Sequence, residues 1–253
     1  MSQPWEIYDA LLDGLPDDVV VRTAGQGPRW SRVLNSAGGV GTAWTMDVRS
    51  RPALSGDGPL DGRPLRDVGA LAKSWNLAEA SIGQAAINSW YSREETAAAN
   101  GFEPTGEGLT WRQVFDPYQK MIAGRKVAVI GHFPFAEAAL AGAGEYICLE
   151  RNLQPGDWPD SACEYVLPEC DVVFISSSSF VNKTAPRLIE LSRDAHTVLV
   201  GPSTPLNPVL LDYGVDTVTG FIAARSLSDP AALAELVPAG DIGPGFRVHR
   251  HRV

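Results

Sequence analysis

A short apolar run, KVAVIG, leads directly into His132, whose imidazole could act as a general base or bind a metal ion. A single histidine in such a place is also often a structural residue held by hydrogen bonds, so both interpretations stay open. Phe133 and Pro134 follow, and they could form the wall of an apolar pocket or only pack the loop. Gly131 is present, but the two further glycines of a G-x-G-x-x-G loop are missing, which disfavours a diphosphate bound against the backbone.

Glu150 ends the next apolar run, YICLE, at a place where an acidic side chain commonly accepts hydrogen bonds from ribose hydroxyls. Without a diphosphate loop before it, Glu150 fits an adenosyl ligand that lacks a pyrophosphate, such as S-adenosylmethionine, at least as well as NAD. Glu150, Arg151 and the residues from Gly131 to Pro134 are therefore candidate cofactor contacts. The alternative is that Glu150 pairs with Arg151 or caps a surface loop.

Hydroxyl and amide groups follow the runs DVVFIS and TVLVG, where they could bind a phosphate or a carboxylate. The candidate cofactor contacts here are Ser176, Ser177, Gly201 and Pro202, and the candidate substrate contacts are Ser178, Asn182, Thr184, Ser203 and Thr204. Lys183 could transfer a proton if burial lowered its pKa, and would otherwise pair with an anion. The alternatives are a helix cap at Ser179 and Asn182 and a tight turn at residues 201–205.

Metal ligands are sparse in the sequence. The histidines and cysteines show no zinc-binding spacing; they are His132, His196, His249, His251, Cys148, Cys163 and Cys170. The sequence therefore predicts free thiols, with Cys148 inside a strand, and no metal site. His249 and His251 lie on one side of an extended tail, which is expected to fray.

Apolar runs and helical segments alternate after Lys126, as in a parallel sheet covered on both faces. The runs are KVAVIG (126–131), YICLE (146–150), DVVFIS (171–176), TVLVG (197–201) and VDTVTGFIA (215–223), and the helical segments between them are FAEAALAGAG, NKTAPRLIELSRDA and NPVLLDYG. Residues 116–253 are thus predicted to form an α/β domain with a Rossmann-like parallel sheet, whose strand-end loops bind a small molecule.

Residues 1–115 are predicted to form a smaller α+β capping domain. It would contain an opening amphipathic helix with Trp5, Tyr8 and Leu12, the strands VVVRTA and GVGTAWT, a Gly- and Pro-rich stretch at 50–64, and helices at 65–73 and 77–90. Residues 100–123, rich in Gly, Pro and Thr, are predicted to link the two domains.

Composition excludes some partners. The net charge of −9 and the absence of a basic run argue against binding to nucleic acid. No eighteen apolar residues run together, and no signal segment opens the chain, so we expect a soluble cytoplasmic protein with no membrane partner.

The motifs described above resemble the family described as "putative heavy-metal chelation", in which an enolase N-terminal-like domain is joined to a Rossmann-like domain. They are VAVIGHFPFAEAAL, LERN, LPECDVVFISSSSFVNKT and LVGPSTPLNPVLLDYGVDTVTG, and they cover roughly residues 126–222. The resemblance over the first 115 residues is looser. It implies a ligand site in a cleft between the domains, built from His132, Glu150, Asn182, Lys183, Ser203 and Thr204, with Asn88 reaching across from the smaller domain.

Three functions are compatible with these residues. The first is an enzyme that acts on a small polar or anionic molecule with an adenosyl cofactor, with His132 or Lys183 moving a proton. The second is a non-catalytic protein that binds a metal or a metal chelate, which requires His132 to converge with a cysteine or a carboxylate. The third is a partner-binding module, and a homodimer is left open. Polar loops at the strand ends favour the first two, and the sparse metal ligands favour the first.

Overall fold

The computed structural model describes residues 3–50, 58–106 and 111–252. Residues 51–57 of the Gly- and Pro-rich stretch predicted at 50–64 therefore lie outside the described residues, as do residues 107–110 of the predicted link.

The helices and strands are bounded as follows. The helices are α1 (Glu6–Asp13), α2 (Leu65–Gly69), α3 (Leu77–Tyr91), α4 (Glu94–Ala99), α5 (Gln119–Ile122), α6 (Ala136–Ala139), α7 (Cys163–Val166), α8 (Ala185–Leu191), α9 (Val209–Asp212) and α10 (Pro230–Ala239). The strands are β1 (Val21–Gln26), β2 (Trp30–Asn35), β3 (Val40–Trp44), β4 (Glu103–Pro104), β5 (Lys126–Ile130), β6 (Glu145–Glu150), β7 (Trp158–Pro159), β8 (Val172–Ser176), β9 (His196–Val200), β10 (Thr217–Ala223) and β11 (Gly245–His251).

The fold is mixed α/β, with a mostly parallel sheet of eight strands in the order β4-β11-β10-β9-β8-β5-β6-β7. The run of strands from β10 to β7 is parallel, and β11 is antiparallel to both of its neighbours. The five predicted runs form β5, β6, β8, β9 and β10, as their continuous apolar sequences require when both faces of a sheet are covered. From β5 the chain goes to β6 on one side and returns to β8 on the other, so the strand order changes direction between β5 and β8.

The two faces of this sheet bury alternate residues of each strand. Val127 and Val129 of β5 pack into one hydrophobic cluster, whereas Ala128 between them packs into the other. The first cluster is covered by residues 111–122, where Phe115 contacts Phe174 edge-on with ring centroids 5.0 Å apart. Part of the segment predicted as a link therefore covers the sheet, and Glu103–Pro104 of the same segment form β4 at its edge.

The prediction that the C-terminal tail frays is wrong. Residues 245–251 form β11, which pairs with β10 along its whole length, from Thr217 opposite His251 to Ala223 opposite Gly245. His249 and His251 do lie on one side of this strand, with ring centroids 4.8 Å apart. The alternation of Phe246 and Val248 with charged and imidazole side chains is that of a strand with one covered face.

A separate antiparallel sheet of three strands, in the order β1-β2-β3, lies in the first half of the chain. The sequence predicted β1 and β3 but not β2. Helix α3 packs on this sheet, with Asn76 as its N-cap, and it matches the helix predicted at 77–90. Helix α10 also packs against β1 and β2, and Leu233 of α10 meets Leu34 and Val40 in a small hydrophobic cluster.

Several predicted helices are shorter than their sequence patterns. α6 and α9 each span four residues, within FAEAALAGAG and NPVLLDYG. α8 begins at Ala185 with Pro186 in its first turn, as predicted. Among the described residues, none of the helices is long and apolar enough to cross a lipid bilayer.

Candidate functional site

The loops at the carboxyl ends of β5, β8 and β9 lie tightly against one another. Gly131 has a φ of +100°, and a Cβ there would lie 2.9 Å from the Cβ of Ser176. Gly201 has a φ of +127°, and a Cβ there would lie 2.7 Å from the Oγ of Ser177. These glycines are needed because the neighbouring loop occupies the space above them.

Glu150 fixes the loop that carries His132. One carboxylate oxygen accepts a hydrogen bond from the backbone N–H of His132 at 2.8 Å, and the other accepts from the N–H groups of Arg151 at 2.6 Å and Asn152 at 2.8 Å. The Arg151 side chain turns away to pair with Asp160 at 3.0 Å. Glu150 therefore holds backbone groups, as in the alternative interpretation of a loop cap.

Three side chains converge at this edge of the sheet: His132 after β5, Cys148 within β6 and Asp157 in the loop before β7. Their nearest ligand atoms all lie within 4.8 Å of one another. His132 Nδ1 is 3.0 Å and 3.1 Å from the two carboxylate oxygens of Asp157. Among the described residues no other group of three or more His, Cys, Asp or Glu side chains is close enough to hold a metal ion. The sequence, in which metal ligands are sparse, did not predict that these three side chains converge.

The protonation of this group follows from its surroundings. Burial, helped by the neighbouring Asp157 carboxylate, raises the pKa of the Cys148 thiol to about 12. Burial also acts to raise the pKa of Asp157, but hydrogen bonds from the Gln154 N–H, His132 and Cys148 outweigh it and leave that pKa lowered. Because an ionised carboxylate can only accept, Nδ1 of His132 is the donor in its contact with Asp157.

Sequence reasoning missed Asp157, which lies in a loop without a strand or motif signal. The place of Cys148 inside a strand was predicted, but its role was not. One signal was available, because Cys148 and Glu150 are two residues apart in a strand that ends beside β5, so both side chains leave the same face. That spacing brings the thiol under the loop that holds His132.

A second group of predicted site residues is buried where the small sheet and α3 meet the large sheet. The Ser203 Oγ accepts a hydrogen bond from the Trp44 N–H at 2.8 Å, and the Thr204 hydroxyl donates to the Gly201 carbonyl at 2.7 Å. Asn88 is fully buried and donates to the Thr42 carbonyl at 2.8 Å. These side chains bond to the protein itself, and the bond between Ser203 and Trp44 joins the two sheets.

The loop after β8 holds the remaining predicted residues. The hydroxyls of Ser176 and Ser178 are 3.0 Å apart. Asn182 Oδ1 accepts from the Thr184 N–H at 3.1 Å and from its hydroxyl at 2.6 Å, which fixes the turn before α8. Asn182 thus acts two residues before the N-cap of α8, which is Thr184, and the predicted cap at Ser179 is absent from this helix.

Lys183 lies between these residues in an unusual conformation. Its φ of +66° makes it the one residue other than glycine with a positive φ in the described parts of the chain. Its ammonium nitrogen donates to the Val181 carbonyl at 2.9 Å and lies 5.8 Å from the centre of the Trp75 ring. Burial lowers the pKa of Lys183 to about 8, against the opposing effect of the Glu79 carboxylate. The condition set for Lys183 from the sequence, a pKa lowered by burial, is therefore met.

Two cavities lie away from the strand ends. One of about 170 Å³ lies against the small sheet and is lined by Gln26, Arg49, Leu60, Leu71, Asn76, Ala78, Glu79 and Ile82. The other, of about 270 Å³, lies between α1 and α8 and is lined by Gln3, Pro4, Ile7, Pro186, Ile189, Glu190, Arg193 and Tyr213. Neither is lined by His132, Glu150 or Ser203.

The fold and the site together define a mixed α/β protein with a potential metal-ligand cluster at the carboxyl edge of its large sheet. Two family models match the chain, one over residues 113–246 and one over residues 8–91, and both are described as "Putative heavy-metal chelation". The chain belongs to this family, as the resemblance of its motifs predicted. No curated protein matches it.

Two solved structures are similar over almost the whole chain. A protein with unknown function from the DUF364 family of Desulfitobacterium hafniense DCB-2 is 37% identical, with a TM-score of 0.84, and the match covers 98% of each chain. A DUF364 protein with unknown function from Pyrococcus horikoshii is 21% identical, with a TM-score of 0.75, and the match covers 98% of this chain and 99% of the other. The second likeness concerns the fold alone.

Proposed function

We propose that this protein binds a thiophilic divalent metal ion through His132, Cys148 and Asp157. The observation that carries the proposal is the convergence of an imidazole, a thiol and a carboxylate within 4.8 Å at the edge of the sheet. The family description agrees with it. The function is therefore the second of those considered from the sequence, metal or metal-chelate binding.

The donor set suits such an ion. Nitrogen and oxygen ligands bind Zn²⁺ at about 2.0–2.2 Å and thiolate sulfur at about 2.3 Å, so donors bound to one tetrahedral ion lie roughly 3–4 Å apart. The carboxylate side chain of Asp157 is only 3% exposed, whereas the imidazole of His132 is 34% exposed, so that solvent or a chelating ligand can reach one side of the site. A sulfur ligand favours Zn²⁺ or Cd²⁺ over Mg²⁺ or Ca²⁺.

Binding requires hydrogens to move. Cys148 must lose its thiol hydrogen, because the thiolate is the ligand, and Nδ1 of His132 must give up its hydrogen, to Nε2 or to solvent, if that nitrogen coordinates. The raised pKa of Cys148 keeps the thiol neutral until a cation is present. Protein side chains supply three donors, which leaves a further position for water or a bound chelator.

A titration with Co²⁺ and Cd²⁺ tests this proposal directly. The wild-type protein is expected to show the ultraviolet absorption of a thiolate–metal bond, with one ion bound per chain. Cys148→Ser is expected to abolish that band, and Asp157→Asn or His132→Ala to weaken binding at least roughly tenfold. Cys163→Ser is the matched control, because Cys163 is an equally buried free thiol outside the cluster. A band that persists in Cys148→Ser would refute the site.

A small-molecule enzyme is the second candidate, and Lys183 is the observation that favours it. The order of the strands, with a change of direction between β5 and β8, agrees with a Rossmann-like interpretation of the large sheet, and ligands of such sheets bind at that point. The enolase-like interpretation of the smaller part and the cleft between the parts rest on the family resemblance. For an adenosyl ligand such as S-adenosylmethionine to bind, Glu150 would have to exchange its backbone hydrogen bonds for hydrogen bonds to the ribose. We therefore favour a metal ion over an adenosyl ligand.

A further inference from the structure

We propose that the cavity between α1 and α8 binds a free amino acid with an aliphatic side chain, such as leucine. This cavity of about 270 Å³ is the larger of the two described above. Its lining combines apolar side chains with three polar groups, which belong to Glu190, Arg193 and Tyr213. The inference goes beyond the metal proposal and makes no use of the His132 cluster.

The apolar part of the lining is held in place by the core of the protein. Ile7 of α1 is 2% exposed and Ile189 of α8 is 3% exposed, and both belong to the same buried cluster of hydrophobic side chains. The rings of Pro4 and Pro186 line the cavity beside them. Because these side chains are fixed by packing and by their rings, the apolar surface is formed before a ligand arrives, and it suits an aliphatic group.

Arg193 and Tyr213 supply donors for an acidic group. Arg193 lies two residues after the end of α8, and within the described residues its guanidinium makes no hydrogen bond and no salt bridge. The planar fork of its N–H groups fits the two oxygens of a carboxylate. The Tyr213 hydroxyl likewise has no hydrogen-bond partner in the described parts of the chain. Burial raises the pKa of Tyr213, so the hydroxyl keeps its hydrogen and can donate.

Acidic side chains around the cavity favour a ligand that also carries a positive charge. The Oε2 atom of Glu190 accepts a hydrogen bond from Arg187 at 2.7 Å, but its Oε1 atom accepts none from the described residues. The carboxylates of Glu6 and Asp212 lie close enough to add to the effect of burial on the pKa of Tyr213. A ligand with a carboxylate alone would be repelled by these groups, whereas an ammonium group would be attracted to them. A free amino acid carries both charges.

The size of the cavity agrees with a ligand of this class. Its volume of about 270 Å³ lies just below the range of about 300–1,000 Å³ that is typical of pockets for drug-sized ligands. One water molecule occupies about 30 Å³ in the liquid, so the cavity has the volume of roughly nine water molecules. Leucine has about as many non-hydrogen atoms and would fill this space, whereas a nucleotide is too large for it.

Isothermal titration calorimetry of the full-length protein with L-leucine tests the inference. We expect saturable binding of one leucine per chain with a Kd below about 1 mM. Isocaproate has the same carbon skeleton without the ammonium group, and isoamylamine lacks the carboxylate. Each is expected to bind at least roughly tenfold more weakly than leucine, because one charged group of the cavity then has no partner on the ligand. Absence of saturable leucine binding, or equal affinity for isocaproate, would overturn the inference.

Variants of the polar lining locate the binding. Arg193→Gln should weaken leucine binding at least roughly tenfold, because it removes the charge that pairs with the carboxylate. Glu190→Gln should weaken the binding of leucine but not that of isocaproate. Arg22→Gln is the matched control, because Arg22 is an exposed arginine that does not line the cavity. Cys148→Ser should also leave leucine binding unchanged, so that the metal proposal and this one fail independently. Wild-type affinity in Arg193→Gln would contradict the inference.

Discussion

Glu150 holds the backbone beside the proposed metal site. Its carboxylate bonds to three backbone N–H groups, one of which belongs to His132. We therefore expect Glu150 to position the imidazole of the proposed metal site. Residues of this kind around metal ligands often matter nearly as much as the ligands.

Glu150→Gln is expected to lower the free energy of unfolding by about 1 kcal/mol, because one carboxylate oxygen becomes an NH₂ group that faces N–H donors. It should also weaken Co²⁺ binding roughly tenfold. Urea denaturation and a Co²⁺ titration measure the two effects. Glu235→Gln on the exposed surface of α10 is the control and should change neither. Unchanged metal affinity in Glu150→Gln would show that His132 does not depend on this clamp.

Gly201 gives a second test at the level of a single residue. Gly201→Ala is expected to lower the free energy of unfolding by about 1–3 kcal/mol, because the new Cβ meets the Oγ of Ser177 at a φ of +127°. Chemical denaturation compares it with Gly142→Ala, where no atom lies within 4 Å of the new Cβ. Equal stability of the two variants would mean that the loops can separate without cost.

At the scale of elements, the apolar runs of the central strands were predictable because they are buried on both faces. β2 was not, because its WSRVLN sequence holds the buried polar residues Ser31 and Arg32. The Arg32 guanidinium donates to the Asp241 carbonyl just beyond α10, a partner more than two hundred residues away. Tertiary contacts, and not a local sequence pattern, thus stabilise β2 as a strand. The sequence around Asp157 likewise has no local pattern that reveals its partners His132 and Cys148.

The pairing of β11 predicts a stability effect near the C-terminal end. Val248 of β11 is 1% exposed, so Val248→Ala is expected to cost about 2 kcal/mol in urea denaturation. Val48→Ala is the control, because Val48 is 50% exposed and its truncation should cost less than about 0.5 kcal/mol. If the two variants were equally stable, β11 would contribute little to the fold.

Histidines of β9 and β11 also make stability depend on pH. Burial lowers the pKa of His196 and of His249, and the neighbouring His251 lowers both further. Asp216 and Glu103 oppose these shifts, whereas Arg125 and Arg247 add to them. Both histidines are more easily protonated in the unfolded chain, where the pKa of a histidine is about 6.5. Their contribution to the stability of the folded protein is therefore complete above that pH and is lost as the pH falls below it.

We therefore expect the melting temperature to fall between about pH 7 and pH 5. His249→Gln should show a smaller fall, because it removes one of the two groups whose protonation favours unfolding. Differential scanning fluorimetry across this range measures both curves. Parallel curves for the variant and the wild type would contradict the assignment to His249.

At the scale of the whole molecule, the two sheets share one core. Ile7 of α1 and Val33 of β2 belong to the same buried cluster as Val173 of β8 and Leu199 of β9. Hydrogen bonds such as that from the Trp44 N–H to Ser203 cross the same contact. The domain boundary predicted at residue 115 stays a prediction. The shared core predicts that the two parts unfold together.

A single cooperative transition is expected in calorimetry, with the calorimetric and van't Hoff enthalpies equal, because neither sheet can lose its partner and keep its core covered. Ser203→Ala should lower the midpoint without splitting the transition. Two separate peaks in the wild-type protein would show that the parts unfold independently.

The small sheet cannot be fully covered on the ribosome before helix α10 has been made. It covers β1 and β2, which are made some two hundred residues earlier. Protein synthesis adds about 5–20 residues per second, so the strands of the small sheet are made on the order of ten seconds or more before α10. We therefore expect nascent chains of this protein to expose an apolar patch around Leu34 and Val40 until α10 has been made.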